Sequence, residues 1–288
     1  MKKEFSNIGI GCGRVGSFGN PVPIKDLKQT LLTAAQNGIT VFDTANIYGQ
    51  GDSERILGEL FQSASNIIII TKAGRKFSKK ALFLSKIKPL LRFTFQIKKI
   101  LSRKELTVLP STSLQANITQ KIGEMRSSEV GFDFSPASLR SSLNSSLKRL
   151  RRDNVDGFLL HDPVPEIICN AQVIETLQSL KAEGKVVRIG VSINSISDLE
   201  AVASVHCYDM VQAPMLVLEE AVGLQAYREL IERKTIFLVR QVLRHSSGHH
   251  AVSVADSIAR AQRLPGITTI LVGVSKPNHL SEIISYVN

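Results

Sequence analysis

The sequence is poor in cysteine and has no long apolar runs. Its three cysteines, Cys12, Cys169 and Cys207, have neither the spacing of a disulfide framework nor that of a metal site. No run approaches the ~20 apolar residues of a transmembrane helix, and the first residues lack the apolar core of a signal peptide. These absences predict a cytoplasmic globular protein without a metal site.

Acidic residues are missing from one long stretch. Between Arg75 and Lys104 there are eleven Lys or Arg residues and no Asp or Glu. The whole chain has 36 basic and 25 acidic residues and a formal net charge of +11, so outside this stretch the charges cancel, 25 against 25. The sequence therefore predicts a neutral protein with one basic insertion of loop or helix. We assign the insertion to residues 75–131, after the third strand and at the catalytic face.

Outside the insertion, short apolar runs alternate with amphipathic segments. Ile67–Ile70 are four consecutive isoleucines, which is typical of a strand covered on both faces in a parallel sheet. Leu27 and Leu31 recur at helical spacing and predict a helix over Ile24–Asn37. The predicted strands, each followed by a helix, are Asn7–Gly11, Val41–Asp43, Asn66–Lys72, Val155–His161, Val186–Val191, Met210–Ala213, Thr235–Val239 and Thr268–Val272. Eight such units can close into an α/β barrel, the (β/α)8 or TIM barrel, and we expect residues 1–288 to form this single domain.

Three of the predicted strands end in a group suited to proton chemistry. Asp43 ends the second strand, Lys72 the third and His161 the fourth, and Tyr48 lies in the loop after the second. Taken alone, each has an ordinary explanation: a turn cap, a surface amine, a core histidine or a half-buried aromatic ring. In an α/β barrel, however, the active site lies where the carboxyl ends of the strands meet. We therefore predict that Asp43, Tyr48, Lys72 and His161 are the catalytic residues.

These four side chains suit the transfer of a proton to or from a carbonyl or alcohol oxygen. A phenol has a pKa near 10, and we expect the ammonium of Lys72 to lower the pKa of Tyr48. Asp43 would hold Lys72 charged, and His161 would orient the substrate oxygen or relay its proton. The set contains neither a nucleophile nor a metal site. The electrons must therefore come from a cofactor, most simply as a hydride from a nicotinamide.

A glycine motif follows the first predicted strand. Gly11, Cys12 and Gly13, with Gly16, match the three spaced glycines of a dinucleotide-binding fingerprint. We reject that assignment because the proline-containing segment 17–23 follows, where the fingerprint requires a helix. We expect Gly11, Cys12 and Gly13 instead to let the backbone approach a bound cofactor at a strand end.

The sequence resembles the aldo-keto reductases. The motifs that carry the resemblance are Phe42–Ala45, Tyr48-Gly49, Ser53-Glu54, Leu57-Gly58, Thr71-Lys72, Ser142–Leu150, Val155-Asp156, Leu159–Pro163, Gly184–Val186, Ile189–Ser192, Val211-Gln212 and Val272-Gly273. Phe132–Ser135 and His161–Pro163 most resemble the bacterial branch with sugar and pyridoxal dehydrogenases. The resemblance implies Tyr48 as the general acid/base, tuned by Lys72 and Asp43.

The resemblance also implies a nicotinamide cofactor. Ser192 and Gln212 match the positions that hold the nicotinamide carboxamide, and Asn194 stands one position beyond the family's asparagine. Arg240 replaces a ring that stacks on the nicotinamide in many members, and its guanidinium plane is expected to do the same. The residues that match the adenosine end are Ser275, Lys276, His279 and Glu282. Because Lys276 would pair with a 2′-phosphate, we expect NADP, and NAD stays open.

Two functions and two roles for the insertion remain open. The first function is an NAD(P)H-dependent oxidoreductase acting on the carbonyl or alcohol of a small polar, sugar-like molecule. The second is a barrel that binds the cofactor but serves as a regulatory or scaffold subunit. The segment 75–104 carries Leu90, Phe93, Ile97 and Leu101 at helical spacing. It is either a lid over the substrate cleft or a basic surface at the mouth of the site. Such a surface would meet an acidic carrier, an acidic substrate or an anionic membrane, to which the protein would then be peripheral. No nucleic acid is expected, because the segment has no recognisable reading module.

Overall fold

The computed structural model describes residues 3–17, 20, 22–77, 130–243, 253–273 and 277–287. Its strands are β1 (Ile8–Gly11), β2 (Val41–Asp43), β3 (Ile68–Ala73), β4 (Arg75–Phe77), β5 (Val130–Phe132), β6 (Gly157–His161), β7 (Ile189–Ser192), β8 (Met210–Pro214), β9 (Ile236–Arg240) and β10 (Ile267–Val272). Its helices are α1 (Ile24–Gln36), α2 (Asp52–Phe61), α3 (Pro136–Leu150), α4 (Pro165–Ile168), α5 (Ala171–Ala182), α6 (Ile196–Ser204), α7 (Met215–Ala221), α8 (Gln225–Glu232), α9 (Val254–Gln262) and α10 (Pro277–Ile284). No helix in this described part combines the length and the apolar character that crossing a membrane requires.

Eight of the strands form a closed barrel with parallel neighbours. Around the barrel the order is β1, β10, β9, β8, β7, β6, β3 and β2, and β2 pairs again with β1. Each strand is joined to the next barrel strand through at least one helix, as parallel pairing requires. The predicted (β/α)8 barrel is confirmed.

The strands divide their side chains between two apolar layers. Alternate residues point to opposite faces, so around β3 Ile67 and Ile69 face the helices, whereas Ile68 and Ile70 face the barrel interior. The interior cluster contains Val41, Ile68, Ile70, Leu159, Met210, Leu238 and Leu271. Because these side chains fill the barrel, a ligand site can form only above them, at the strand ends.

The insertion begins and ends in a two-stranded antiparallel sheet outside the barrel. In this sheet β4 pairs with β5, and Arg75 lies opposite Phe132. Gly74 makes the turn from β3 into β4 with a φ of 109°. A β-carbon at Gly74 would lie 2.0 Å from the ring of Phe134, so both the turn and the close packing require glycine.

The prediction of loop or helix over 75–131 was wrong at its two ends. Residues 75–77 and 130–132 are strands, because each end finds its hydrogen-bonding partner in the other, far along the chain. Residues 78–129 lie outside the described residues, and so does most of the basic segment 75–104. The lid and the docking surface both stay predictions.

Some other element boundaries also differ from the prediction. The strand expected over Val186–Val191 is β7, and Val186 instead forms an isolated bridge with Val155. Helices α4 and α7 were not predicted. They have four and seven residues, so too few apolar positions repeat to reveal a helical period.

Candidate active site

The candidate site is a layer of polar side chains directly above the apolar interior of the barrel. In β3, for example, Ile68 and Ile70 belong to the interior cluster, and Lys72 continues the same face. Each polar residue stands two positions after an inward-facing residue of its strand: Asp43, Lys72, His161, Ser192, Gln212 and Arg240. The strand pairing sets His161 beside Ser192, and Ser192 beside Gln212.

Lys72 lies at the centre of this layer and is fully buried. Its Nζ donates to Asp43 Oδ1 at 2.6 Å and to the Thr44 carbonyl oxygen at 2.9 Å, and it lies 3.5 Å from the Tyr48 hydroxyl. The same Asp43 oxygen accepts a hydrogen bond of 2.8 Å from Gln212 Nε2. One carboxylate therefore holds both the ammonium and the amide.

Tyr48 reaches Lys72 because the chain turns sharply after β2. The 3-10 turn Tyr48–Gly51 contains left-handed backbone at Gly49 (φ 57°) and Gln50 (φ 60°). A β-carbon at Gly49 would lie 2.8 Å from the backbone carbon of Gly16, so glycine is needed there. The half-buried ring of Tyr48 stands edge-on to His161, with 5.7 Å between ring centroids.

The surroundings of Tyr48 favour its protonated form. Burial raises the pKa of Tyr48 above its ordinary value of 10.0, Lys72 lowers it and Asp43 raises it, with a net upward shift. Burial lowers the pKa of Lys72, but Asp43 and Tyr48 together outweigh burial, so its net shift is also upward. Lys72 lowers the pKa of Tyr48 as expected, but burial outweighs the ammonium, so the net shift is upward. At neutral pH the pair is a phenol beside an ammonium.

His161 is neutral in this environment. Burial lowers the pKa of His161 well below 6.5, and the positive charges of Lys72, Arg75 and Arg240 lower it further. Its side chain is 5% exposed, and its Nδ1 has no hydrogen-bond partner among the described residues. A neutral imidazole can donate one hydrogen bond to a carbonyl oxygen without carrying charge.

An ion cluster that the sequence analysis missed lies beside His161. Asp162 Oδ2 accepts from Arg75 Nη1 at 3.1 Å, and its Oδ1 lies 3.6 Å from Arg240 Nη2. Asp162 adopts left-handed backbone (φ 54°), and its carboxylate contacts side chains at the strand ends. Two features of the sequence could have drawn attention to this cluster. Asp162 directly follows the strand-end residue His161, and Arg75 is the first basic residue of the insertion. Neither feature predicts that the two meet.

The residues predicted to hold the nicotinamide fit such a group. Ser192 and Gln212 are both 1% exposed, and Ser192 Oγ donates to Gln212 Oε1 at 3.2 Å. A hydroxyl and an amide on adjacent strand ends are matched to the donor and acceptor of a carboxamide. Gly13 is exposed, and a β-carbon there would lie 3.8 Å from the Tyr48 ring. The absence of a side chain at Gly13 keeps the approach to Tyr48 open.

The side chain of Cys12, a residue predicted to lie at the cofactor site, belongs to the core. The Cys12 side chain is fully buried in the core, where its Sγ lies 3.7 Å from the Ile10 carbonyl oxygen. Its backbone N–H donates to the Asp43 carbonyl oxygen at 2.8 Å. Gly11 lies at the end of β1, and a β-carbon there would make an ordinary van der Waals contact with Val272 at 3.8 Å.

The other predicted cofactor residues are placed unevenly. Arg240 Nη2 donates to the Ile193 carbonyl oxygen at 2.8 Å and to Asn194 Oδ1 at 2.6 Å, so these contacts fix the guanidinium and the Asn194 amide to each other. Ser275 and Lys276 lie outside the described residues. His279 and Glu282 belong to α10, and Glu282 is exposed. Among the described residues, no three His, Cys, Asp or Glu side chains are grouped to hold a metal ion.

A buried carboxylate behind the site connects the elements that carry it. Glu54 in α2 is fully buried and accepts from Thr71 Oγ1 in β3 and from Arg149 Nε in α3, each at 2.6 Å. Ser53 Oγ donates to the Cys12 carbonyl oxygen and contacts Thr44 Oγ1. These contacts tie the Tyr48 turn to the strand that carries Lys72.

Known proteins share this sequence pattern. A model of the Aldo/keto reductase family matches residues 7–241. The chain is 29% identical over 197 residues to L-galactose dehydrogenase of Arabidopsis thaliana, covering 66% of this chain and 45% of that protein. It is 28% identical over 195 residues to D-threo-aldose 1-dehydrogenase of a Pseudomonas species, covering 66% and 50%. It is 24% identical over 226 residues to NADH-specific methylglyoxal reductase of Escherichia coli, covering 75% and 57%. The matches span about half the length of these relatives.

Solved structures share the fold. An aldo-keto reductase from Bacillus halodurans superposes with a TM-score of 0.66 at 17% identity, covering 99% of this chain and 90% of that one. An aldo-keto reductase from Klebsiella pneumoniae in complex with NADPH superposes with a TM-score of 0.61 at 16% identity, covering 99% and 89%. Because the family model matches most of the sequence and the barrel is the same, the chain belongs to the aldo/keto reductase family.

Proposed function

We propose that the protein is an NAD(P)H-dependent oxidoreductase that interconverts a carbonyl and an alcohol on a small polar substrate. The observation that carries this proposal is the fully buried ammonium of Lys72, 2.6 Å from Asp43 and 3.5 Å from the Tyr48 hydroxyl. A lysine is rarely fully buried, and here it faces a phenol, a group that can exchange a proton with a substrate oxygen.

Each of the four residues has a role in this proposal. In the reductive direction Tyr48 donates its proton to the substrate oxygen, and Lys72 stabilises the phenolate that remains. Asp43 keeps Lys72 charged and in place. Neutral His161 donates a hydrogen bond to the carbonyl oxygen and so orients it. In the oxidative direction the same phenolate takes the proton back.

Ser192 and Gln212 would hold the carboxamide of a nicotinamide cofactor, which supplies or accepts the hydride when it is bound. We propose NADP as this cofactor. The support is Lys276, whose ammonium suits a 2′-phosphate, together with the related Klebsiella structure, which holds NADPH. The relative from Escherichia coli is named NADH-specific, so the proposal needs a direct test.

We propose sugar-like molecules as the substrate class. Two relatives are named for sugars, L-galactose dehydrogenase and D-threo-aldose 1-dehydrogenase. In this fold the substrate is selected by side chains of the loops above the strand ends. Relatives at this level of identity therefore indicate which compounds to test and do not identify the substrate.

Two measurements in sequence test the proposal. Titration of the protein with NADPH and with NADH, followed by protein fluorescence, should show saturable binding that is tighter for NADPH. Turnover is then measured on a panel of aldehydes, ketones and sugars in both directions. Binding without turnover on the whole panel would favour the regulatory or scaffold barrel. Failure to bind either nucleotide would reject both functions.

A further inference from the structure

The charges in contact at the mouth of the site are not balanced. Three cations lie there, Lys72, Arg75 and Arg240, and among the described residues they contact two carboxylates, Asp43 and Asp162. Asp43 contacts one of these cations, Lys72, whereas Asp162 contacts both arginines. One positive charge therefore has no counter-charge within this cluster. Such an excess is costly in a partly desolvated cleft unless a ligand neutralises it.

Arg75 is the member of the cluster that a substrate can reach. Its side chain is 29% exposed, and its guanidinium lies 5.6 Å from the centre of the Phe132 ring. Phe132 itself is 59% exposed, although it is a large apolar side chain. Asn46 donates to the Arg75 carbonyl oxygen at 3.3 Å, which ties this strand to the loop that carries Tyr48.

The barrel order places Arg75 and the predicted nicotinamide residues on opposite sides of His161, and Asp162 between them contacts both Arg75 and Arg240. Arg75 follows β3, on one side of His161, whereas Ser192 and Gln212 end β7 and β8, on the other side. A molecule whose carbonyl lies between Tyr48 and His161 would therefore extend toward Arg75 when it extends away from the nicotinamide residues.

We propose that the substrate carries an anionic group, a carboxylate or a phosphate, and that Arg75 binds this group beside the apolar ring of Phe132. This inference rests on the proposed function. A guanidinium presents parallel N–H donors that match both anions, and Asp162 engages only one of its nitrogens, Nη1. The anion supplies the counter-charge that the cluster lacks. Arg75, the first residue of the insertion, thus determines which substrates the site prefers.

Matched substrates test the charge directly. The first pair is 4-formylbenzoate and its methyl ester, which present the same ring and aldehyde with and without a negative charge. The second pair is glyceraldehyde 3-phosphate and glyceraldehyde. The wild-type protein should have a kcat/KM at least about tenfold higher for the anionic member of one pair, the scale of one charged hydrogen bond. The preferred pair identifies carboxylate or phosphate.

Arg75→Gln should lower kcat/KM about 10- to 100-fold more for the anionic member than for its neutral partner. Lys76→Gln is the matched control: it removes the same charge one residue away, from an exposed side chain paired with Asp133. It should leave the preference unchanged. The dissociation constant of NADPH, measured for both variants, should also stay unchanged, which separates a substrate anion from the phosphates of the cofactor.

Three results would overturn this inference and leave the proposed function standing. They are equal kcat/KM for both members of both pairs, an equal loss of kcat/KM for both members in Arg75→Gln, and weaker NADPH binding that accounts for the loss. Turnover of neither pair nor any compound of the larger panel would instead reject the proposed function.

Discussion

The two ends of the barrel each contain a buried carboxylate with cationic partners. At the amino-terminal end Asp156 accepts from the backbone N–H of Ile69 at 2.9 Å, from Lys3 at 2.8 Å and from Arg152 at 3.5 Å. Arg152 also donates to the carbonyl oxygens of Phe61, Ala64 and Ile67. At the carboxyl-terminal end the corresponding pair is Asp43 and Lys72.

The two clusters differ in what their ions contact. Around Asp156 and Arg152 the partners are mostly backbone groups, so the cluster fixes the ends of strands and loops. Around Lys72 and Asp43 the partners include the hydroxyl of Tyr48, which can exchange a proton. Lack of a partner does not separate the two ends, since Arg152 Nε and His161 Nδ1 both lack one in the described part of the chain. Buried charge alone therefore does not mark a site.

The largest expected effect comes from removing the hydroxyl of Tyr48. Tyr48→Phe should lower kcat by about 10²–10⁴-fold, the usual contribution of a general acid, with NADPH binding nearly unchanged. Tyr227→Phe is the control, because the Tyr227 hydroxyl donates to the Pro265 carbonyl oxygen at 2.6 Å, away from the strand ends. Steady-state turnover on a good substrate decides: a rate of Tyr48→Phe within twofold of the wild type would contradict the assignment.

At the other end of the barrel the effect should be on stability. Asp156→Ala removes the carboxylate that contacts both Lys3 and Arg152, and the Arg152 side chain is only 7% exposed. Breaking a buried ion pair from one side costs about 3–5 kcal/mol of the free energy of unfolding. Urea unfolding measures this loss, and kcat measured well below the transition should match that of the wild type. A loss of kcat with unchanged stability would mean that the two ends do not differ as described.

The smallest expected effect concerns His161 and the pH dependence of the free energy of unfolding. Burial holds the pKa of His161 well below 6.5 in the folded chain, so below that pH the unfolded chain binds one more proton. Stability therefore falls as pH falls through the unfolded pKa, by about 1.4 kcal/mol per pH unit for one proton. His161→Gln should make the free energy of unfolding fall less steeply as the pH is lowered below 6.5.

Urea unfolding of both proteins at several pH values below 6.5 measures the two slopes. Parallel curves for His161→Gln and the wild type would show that His161 gains its proton as easily in the folded chain as in the unfolded one.

The sequence predicts the fold and three of the four catalytic candidates for the same reason. Strand residues alternate between faces, and parallel strands bring their carboxyl ends together, so polar residues two positions after inward apolar ones must converge. Asp43, Lys72 and His161 follow this pattern. Tyr48 was identified from its position in the loop that follows Asp43 and from the family resemblance. Short helices such as α4 contain too few residues for a helical repeat of apolar positions to be recognised.

Only the tertiary structure decided the rest. Arg75 and Asp162 are 87 positions apart, and no local spacing predicts that they meet or that Arg240 shares the same carboxylate. The direction of the Tyr48 pKa likewise depends on how deeply the folded chain buries the phenol relative to its distance from Lys72. The sequence by itself determined which residues line up along each strand, because that is set by backbone geometry. Charge balance and burial depend on contacts between strands, and these exist only once the barrel has closed.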